Sequence, residues 1–187
     1  MNFKKILMVI FMILGLGLAA GCGGSAASPT PAKSTAQQQA SLSGKKVLIA
    51  YFSWSGNTKA AAEKIQGLTG GDIYRIEAAD PYPGEYDATT DRAKQEQKDN
   101  ARPAIAGKAD LSKYDVIMVG YPIWWYQEPM IIDTFLESGD FSGKTIVPFC
   151  TSGGSSIDKS IEHMKTVVKG ASFAQGFRYD GNDKEMN

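Results

Sequence analysis

From residue 45 onward, short runs of consecutive apolar residues alternate with stretches whose apolar positions return every third or fourth residue. The runs are strand signals and the spaced stretches are helix signals. The first run, 47–52, contains no charged or amide side chain, the pattern of a strand buried on both faces of a parallel sheet. A Ser/Gly/Asn turn follows, and Ala61, Ala62, Ile65 and Leu68 then mark one face of a helix closed by Gly70 and Gly71. A second strand, 72–77, is more polar and suits a sheet edge. Residues 79–113 open with AADPYPGEYD and continue as a charged helix over about 87–101, whose charges read as a solvated face. Runs at 116–120 and 145–149 predict the third and fourth strands, helices are expected over 128–136 and 157–168, and 172–177 supplies a fifth strand. This alternation defines a doubly wound α/β domain, a three-layer sandwich with helices on both faces of a five-stranded parallel sheet. The closing GNDKEMN reads as the start of a last helix, which is therefore expected to be missing or truncated.

The first 44 residues follow different rules. Lys4 and Lys5 precede an apolar stretch at 6–18, shorter than the ~20 residues that a membrane-spanning helix needs. Small residues Ala19, Ala20 and Gly21 then lead to Cys22, which is the order of a signal peptide. Small residues before a single cysteine also resemble the lipobox of bacterial lipoproteins. That resemblance implies that Cys22 takes a lipid, becomes the mature N-terminus and anchors the protein to the outer face of the cytoplasmic membrane. Residues 23–44 are Gly, Ser, Ala, Thr, Pro and Gln apart from one charge, Lys33, and one leucine, Leu42, a composition that cannot bury enough apolar surface to offset chain entropy. We read 1–22 as signal peptide and lipobox, 23–44 as a disordered tether with a reach of roughly 25 Å, and 45–187 as one folded domain.

Charge and cysteine usage narrow the function. Lys4, Lys5 and Lys33 lie before the domain, leaving 17 of the 20 basic residues against all 20 acidic ones, a net charge near −3. A nucleic-acid partner asks for a basic face and is not expected. With Cys22 lipidated, only Cys150 remains, so no internal disulfide can form. One histidine and one cysteine do not supply the common zinc sets, and no metal site is expected. His163 lies on the 157–168 helix, where a partly exposed structural role is expected, and Cys150 ends a buried strand as an inert small apolar residue. No GxSxG elbow accompanies His163, so a serine hydrolase is not indicated, and no catalytic residue is assigned.

Three loops follow the carboxyl ends of the apolar strands, where open α/β sheets bind their ligands. The first is SWSGNT: Ser53, Trp54, Ser55, Gly56, Asn57 and Thr58. Its hydroxyls, a glycine that lets the backbone approach closely and the free amides of a helix N-terminus make a phosphate cradle. It is neither a GxxxxGK loop nor a GxGxxG fingerprint. The second is YPIWWYQEP, in which Pro122, Ile123, Trp124, Trp125 and Tyr126 form an aromatic wall on which a flat ring can stack. Adjacent residues face opposite ways, so one tryptophan is expected to stack and the other to pack. The third is TSGGSS, whose Thr151, Ser152, Gly153 and Gly154 can meet a heterocycle edge with backbone groups.

The first loop matches the flavodoxin phosphate loop, Ser/Thr-x-Ser/Thr-Gly-x-Thr, at every position. With the other two loops in this order after these strands, residues 45 to about 178 resemble a flavodoxin-family domain. The resemblance implies the strand order 2-1-3-4-5 and one FMN as cofactor. The phosphate would lie in 53–58 and the ring between 121–129 and 151–154. It also implies electron transfer with a redox partner protein or a membrane quinone. A two-electron reductase of quinone or NAD(P)H type is the alternative enzyme reading, since PIWWYQEP also resembles the matching loop of flavodoxin-fold quinone reductases. A flavin-free binding lipoprotein that displays its aromatic loop is the third. The second loop contains no glycine, and Pro122 and Pro129 stiffen its ends, so its peptides are expected to stay fixed.

Overall fold

The computed structural model describes residues 44–181. The signal peptide, Cys22, all but the last residue of the tether and nearly all of the GNDKEMN segment lie outside the described residues. Strands and helices alternate as β1 (Val47–Tyr51), α1 (Asn57–Thr69), β2 (Asp72–Arg75), α2 (Tyr86–Lys98), β3 (Val116–Pro122), α3 (Met130–Glu137), β4 (Thr145–Thr151), α4 (Asp158–Val167), β5 (Ser172–Phe173) and β6 (Phe177–Tyr179). Every pairing is parallel, in the order β2-β1-β3-β4-β5, with β6 also beside β4.

The apolar runs form strands because both of their faces are covered. Successive strand side chains point to opposite sides. Leu48, Ala50, Ile117 and Val119 join one core with Ile131, Ile132 and Phe135 of α3 and Met164 of α4. Val47, Ile49, Val116 and Met118 join the other with Ala61, Ala62 and Ile65 of α1. Leu68 does not belong to that face as expected and is exposed. The buried stripe of α1, Thr58, Ala61, Ala62 and Ile65, is continued by the half-buried Thr69 four positions on, and Leu68 falls about 70° from its centre. The helix closes at Gly70, whose amide donates to the Gln66 carbonyl at 2.8 Å and whose left-handed backbone (φ 69°) then turns the chain out of the helix.

The fifth strand differs from expectation in being split. β5 and β6 both run beside β4 but are separated by Ala174, Gln175 and Gly176. Alternate residues of β4 direct their backbone groups to opposite neighbours. The Ile146 carbonyl accepts the Ala174 amide, whereas the Thr151 carbonyl accepts that of Ile123 on the other side. Pro148 shares the phase of Ile146 and has no N–H to offer, so the ladder on that side is broken there.

Candidate functional site

The loops after β1, β3 and β4 meet at the carboxyl edge of the sheet. Thr58 Oγ1 and Thr151 Oγ1 lie 2.8 Å apart, both buried, joining the first loop to the third. The Ile123 amide donates to the Thr151 carbonyl at 2.9 Å, joining the second to the third.

In the first loop, Ser53 is buried and its hydroxyl has no hydrogen-bond partner among the described residues. Gly56 precedes α1 with φ 92°, a left-handed backbone that favours glycine. The N-cap position is Gly56, which has no side chain with which to cap the helix, and Ser55 Oγ accepts Asn57 Nδ2 at 3.1 Å. The first amides of α1 are therefore not occupied by a cap, and Ser55 and Asn57 are exposed beside them. In the third loop, Ser152 Oγ accepts the Gly154 and Ser155 amides at 3.1 and 2.7 Å, which curls the loop on itself. A Cβ placed on Gly153 or Gly154 would meet nothing within 4 Å, so both glycines face open space.

The second loop divides its two tryptophans as expected of neighbours. Trp124 packs inward, edge-on to Phe52 at 5.5 Å and to Tyr82 at 5.2 Å, while Trp125 and Tyr126 are exposed. Besides the two prolines, a turn constrains this loop. Trp124 and Gln127 exchange backbone hydrogen bonds at 2.9 and 3.2 Å around Trp125 (φ 49°) and Tyr126 (φ 71°). Two residues with positive φ are the geometry of a tight hairpin turn, here built without glycine.

The α2 region supplies the compensation, and sequence reasoning missed it. Trp125 Nε1 donates to the Thr90 carbonyl at 2.9 Å, and Gln97 Nε2 reaches the Trp124 carbonyl at 3.2 Å. Trp54 Nε1 donates to the Pro83 carbonyl at 2.8 Å. The 79–113 segment therefore braces both aromatic loops, and its charges are only in part a solvated face. Arg92 lies 4.2 Å over the Tyr82 ring and bonds Glu96 at 2.8 Å, and Glu96 accepts the Tyr82 hydroxyl at 2.7 Å. These groups turn inward because Tyr82 offers a ring face and a hydroxyl together. Trp54, Tyr86, Thr90, Ile123, Trp125 and Tyr126 line an open cleft of about 280 Å³, to which Tyr86 and Thr90 are additions from α2.

Cys150 is fully buried, and burial pushes its thiol up to about 12, in keeping with an inert role. His163 is half-buried on α4, with Nδ1 2.7 Å from the buried Glu128 carboxylate, whose hydrogen bond raises the imidazole above its ordinary range. Asp133 of α3 is fully buried beside them, and burial, then the Glu128 charge, pushes its carboxyl up to about 7.

Both shifts act on stability in one direction. A carboxyl raised from its ordinary range near 4 keeps a proton in the folded chain that the unfolded chain has lost, so its cost grows as pH rises from 4 through 7. A raised histidine stabilises fully below its unfolded value and loses that contribution as pH rises through its folded one. Between pH 5.5 and pH 8 the melting temperature is expected to fall more steeply in the wild type than in Asp133→Asn. A wild-type melting curve no more pH-sensitive than that of Asp133→Asn would contradict it.

The fold is an open α/β sheet in the order 2-1-3-4-5 with three loops joined at its carboxyl edge, where sheets of this kind bind their ligands. The chain matches the family model described as Flavodoxin over residues 46–186. It is 39% identical to a protein described as a flavoprotein from Bacteroides uniformis ATCC 8492, over 76% of this chain and 94% of that one, with a TM-score of 0.70. A similar structure from Bacteroides eggerthii DSM 20697 is 42% identical over 72% of this chain and 87% of that one, with a TM-score of 0.68. A flavoprotein in complex with FMN from Lactobacillus acidophilus NCFM is 28% identical over 75% of this chain and 98% of that one, with a TM-score of 0.64. Minor allergen Alt a 7 of Alternaria alternata is 29% identical over 136 residues, and this chain spans 65% of its length. The chain belongs to the flavodoxin family.

Proposed function

We propose that this protein binds one FMN and passes electrons through it at the outer face of the cytoplasmic membrane, to or from a redox partner protein or a membrane quinone. The observation that carries the reading is the Ser53 hydroxyl, buried in the phosphate loop with no protein partner, next to the uncapped start of α1. A buried polar group without a partner is costly, and a phosphate oxygen placed there removes the cost. The donor set fits: hydroxyls of Ser53, Ser55 and Thr58 with the amides at the start of α1 would hold the dianion without a lysine. Trp54 and the Trp124–Trp125 pair offer apolar ring surface, and the backbone of 151–154 supplies polar contacts to a ring edge.

FMN supplies reversible acceptance and release of electrons, and the remaining work falls to this chain. Trp124 and Phe52 exclude water from beneath the cleft, and Trp125 and Tyr126, both exposed, form the rim that an electron-exchange partner meets. The N-terminal lipid would hold this rim near membrane quinones. The purified full chain is expected to be yellow, with one FMN per chain released on denaturation. A colourless protein that takes up no FMN on titration would refute the flavin reading. Cys22→Ser is expected to move the protein from the membrane to the soluble fraction. Retention of that variant in membranes after a carbonate wash would refute the lipid anchor.

A further inference from the structure

Between α3 and α4, where the second loop runs into α3, two acidic side chains are buried against the chain's single histidine. Glu128 stands two residues before α3, Asp133 lies within it, and His163 comes from α4. Glu128 and Asp133 are both 0% exposed, and the His163 side chain is 30% exposed. His163 Nδ1 is 2.7 Å from Glu128 Oε1 and 3.7 Å from Asp133 Oδ2, and one ligand atom from each residue lies within 4.8 Å of the others.

The hydrogen bonding of this cluster is incomplete. Glu128 Oε2 and both oxygens of Asp133 are buried without a hydrogen-bond partner among the described residues. Arg102 Nη1, the nearest cation, stands 3.6 Å from Asp133 Oδ2, too far for a hydrogen bond. Its guanidinium is already held by Glu137 through two bonds of 2.9 and 2.8 Å and by the Asn100 and Ala101 carbonyls. Leaving buried carboxylate oxygens without donors costs more than the ~1–3 kcal/mol of a neutral group. A proton on Asp133 supplies one donor and leaves the other oxygens as they are.

We infer that Glu128, Asp133 and His163 form a binding site for one divalent transition-metal ion of the zinc class. Two positive charges balance two carboxylates while His163 is neutral, so the filled site carries no net charge into the interior. A tetrahedral zinc with bonds of ~2.0–2.2 Å spaces its ligand atoms roughly 3.3–3.5 Å apart, and the two observed separations from Nδ1 lie on either side of this. An imidazole among the donors favours zinc and its neighbours over calcium or magnesium, which take oxygen alone. The exposed edge of His163 is the way in from solvent and leaves a position for water, so the site has three protein ligands and one open place.

The test uses the full chain with no added histidines and the flavin removed, so that its result does not depend on FMN. With one histidine in the sequence, nitrogen-detected NMR of the imidazole reports this site alone. Addition of Zn²⁺ to one equivalent is expected to shift the Nδ1 resonance of His163 to a metal-bound value, with no further change beyond it, and to raise the melting temperature. His163→Gln and Asp133→Asn, each checked for an intact melting transition, are expected to weaken zinc binding at least tenfold in competition with a chromophoric chelator. Imidazole resonances unchanged at a threefold excess of zinc would overturn the inference. So would zinc binding of equal strength in His163→Gln, which would place the metal elsewhere on the chain.

Discussion

Replacing Ser53 and Ser55 together by alanine is expected to weaken FMN binding at least tenfold while changing riboflavin binding less than about twofold, each hydrogen bond to a charged group being worth about 1.5–3 kcal/mol. The pair is chosen because neither hydroxyl holds the fold together. Ser53 Oγ has no protein partner, and Ser55 Oγ only accepts a bond from the exposed Asn57. Thr58 is the poorer probe, since its hydroxyl is tied to that of Thr151 in the interior. Removing it leaves a buried oxygen unpaired and mixes a loss of stability with a loss of affinity. Titration of the apo-protein with both ligands by flavin fluorescence measures the ratio. Equal losses for FMN and riboflavin would mean that the phosphate is bound elsewhere.

Gly120→Ala is expected to lower the stability of the domain by about 1–3 kcal/mol, read as a melting temperature roughly 3 to 10 °C lower. Gly120 in β3 lies beside Phe149 in β4, and a Cβ there would stand 2.1 Å from Phe149 Cζ. The ring has little room to retreat, being fully buried and stacked on Phe177 at 5.8 Å. Gly120→Ala combined with Phe149→Leu is expected to recover part of the loss, because a shorter side chain vacates the contested space. A melting temperature for Gly120→Ala within a degree of the wild type would show that the core gives way more easily than its packing indicates.

The strands were legible because a run such as 47–52 can be explained only by burial on two sides, and the first loop because its hydroxyls and glycine sit between such a strand and a helix. Strand order came from the resemblance, since no periodicity encodes which strands are neighbours. The brace from α2 left no trace in the sequence. Trp54 to Pro83 and Trp125 to Thr90 are contacts between an indole and a backbone carbonyl, and any residue except one too bulky offers that carbonyl. Arg92 and Glu96, four apart, look like an ordinary exposed helix pair until Tyr82 is seen between them. The break in the fifth strand was readable from Pro148, had the phase of β4 been known. For the Glu128, Asp133 and His163 cluster one local signal existed: an aspartate that follows the apolar Met130, Ile131 and Ile132 directly in α3.

The hydroxyl pair of Thr58 and Thr151 joins residues 93 positions apart, and the strands beneath it pair Val47 with Val116. Contacts of such long range form late, because the chain must close large loops before it gains from them. A fragment that ends before Thr151 holds the first loop but lacks the partner that fixes Thr58, so the three loops are joined only in the whole sheet. A flavin that meets the chain before β3 and β4 lie side by side finds single loops, because the Ile123 amide reaches the Thr151 carbonyl only across that pair of strands.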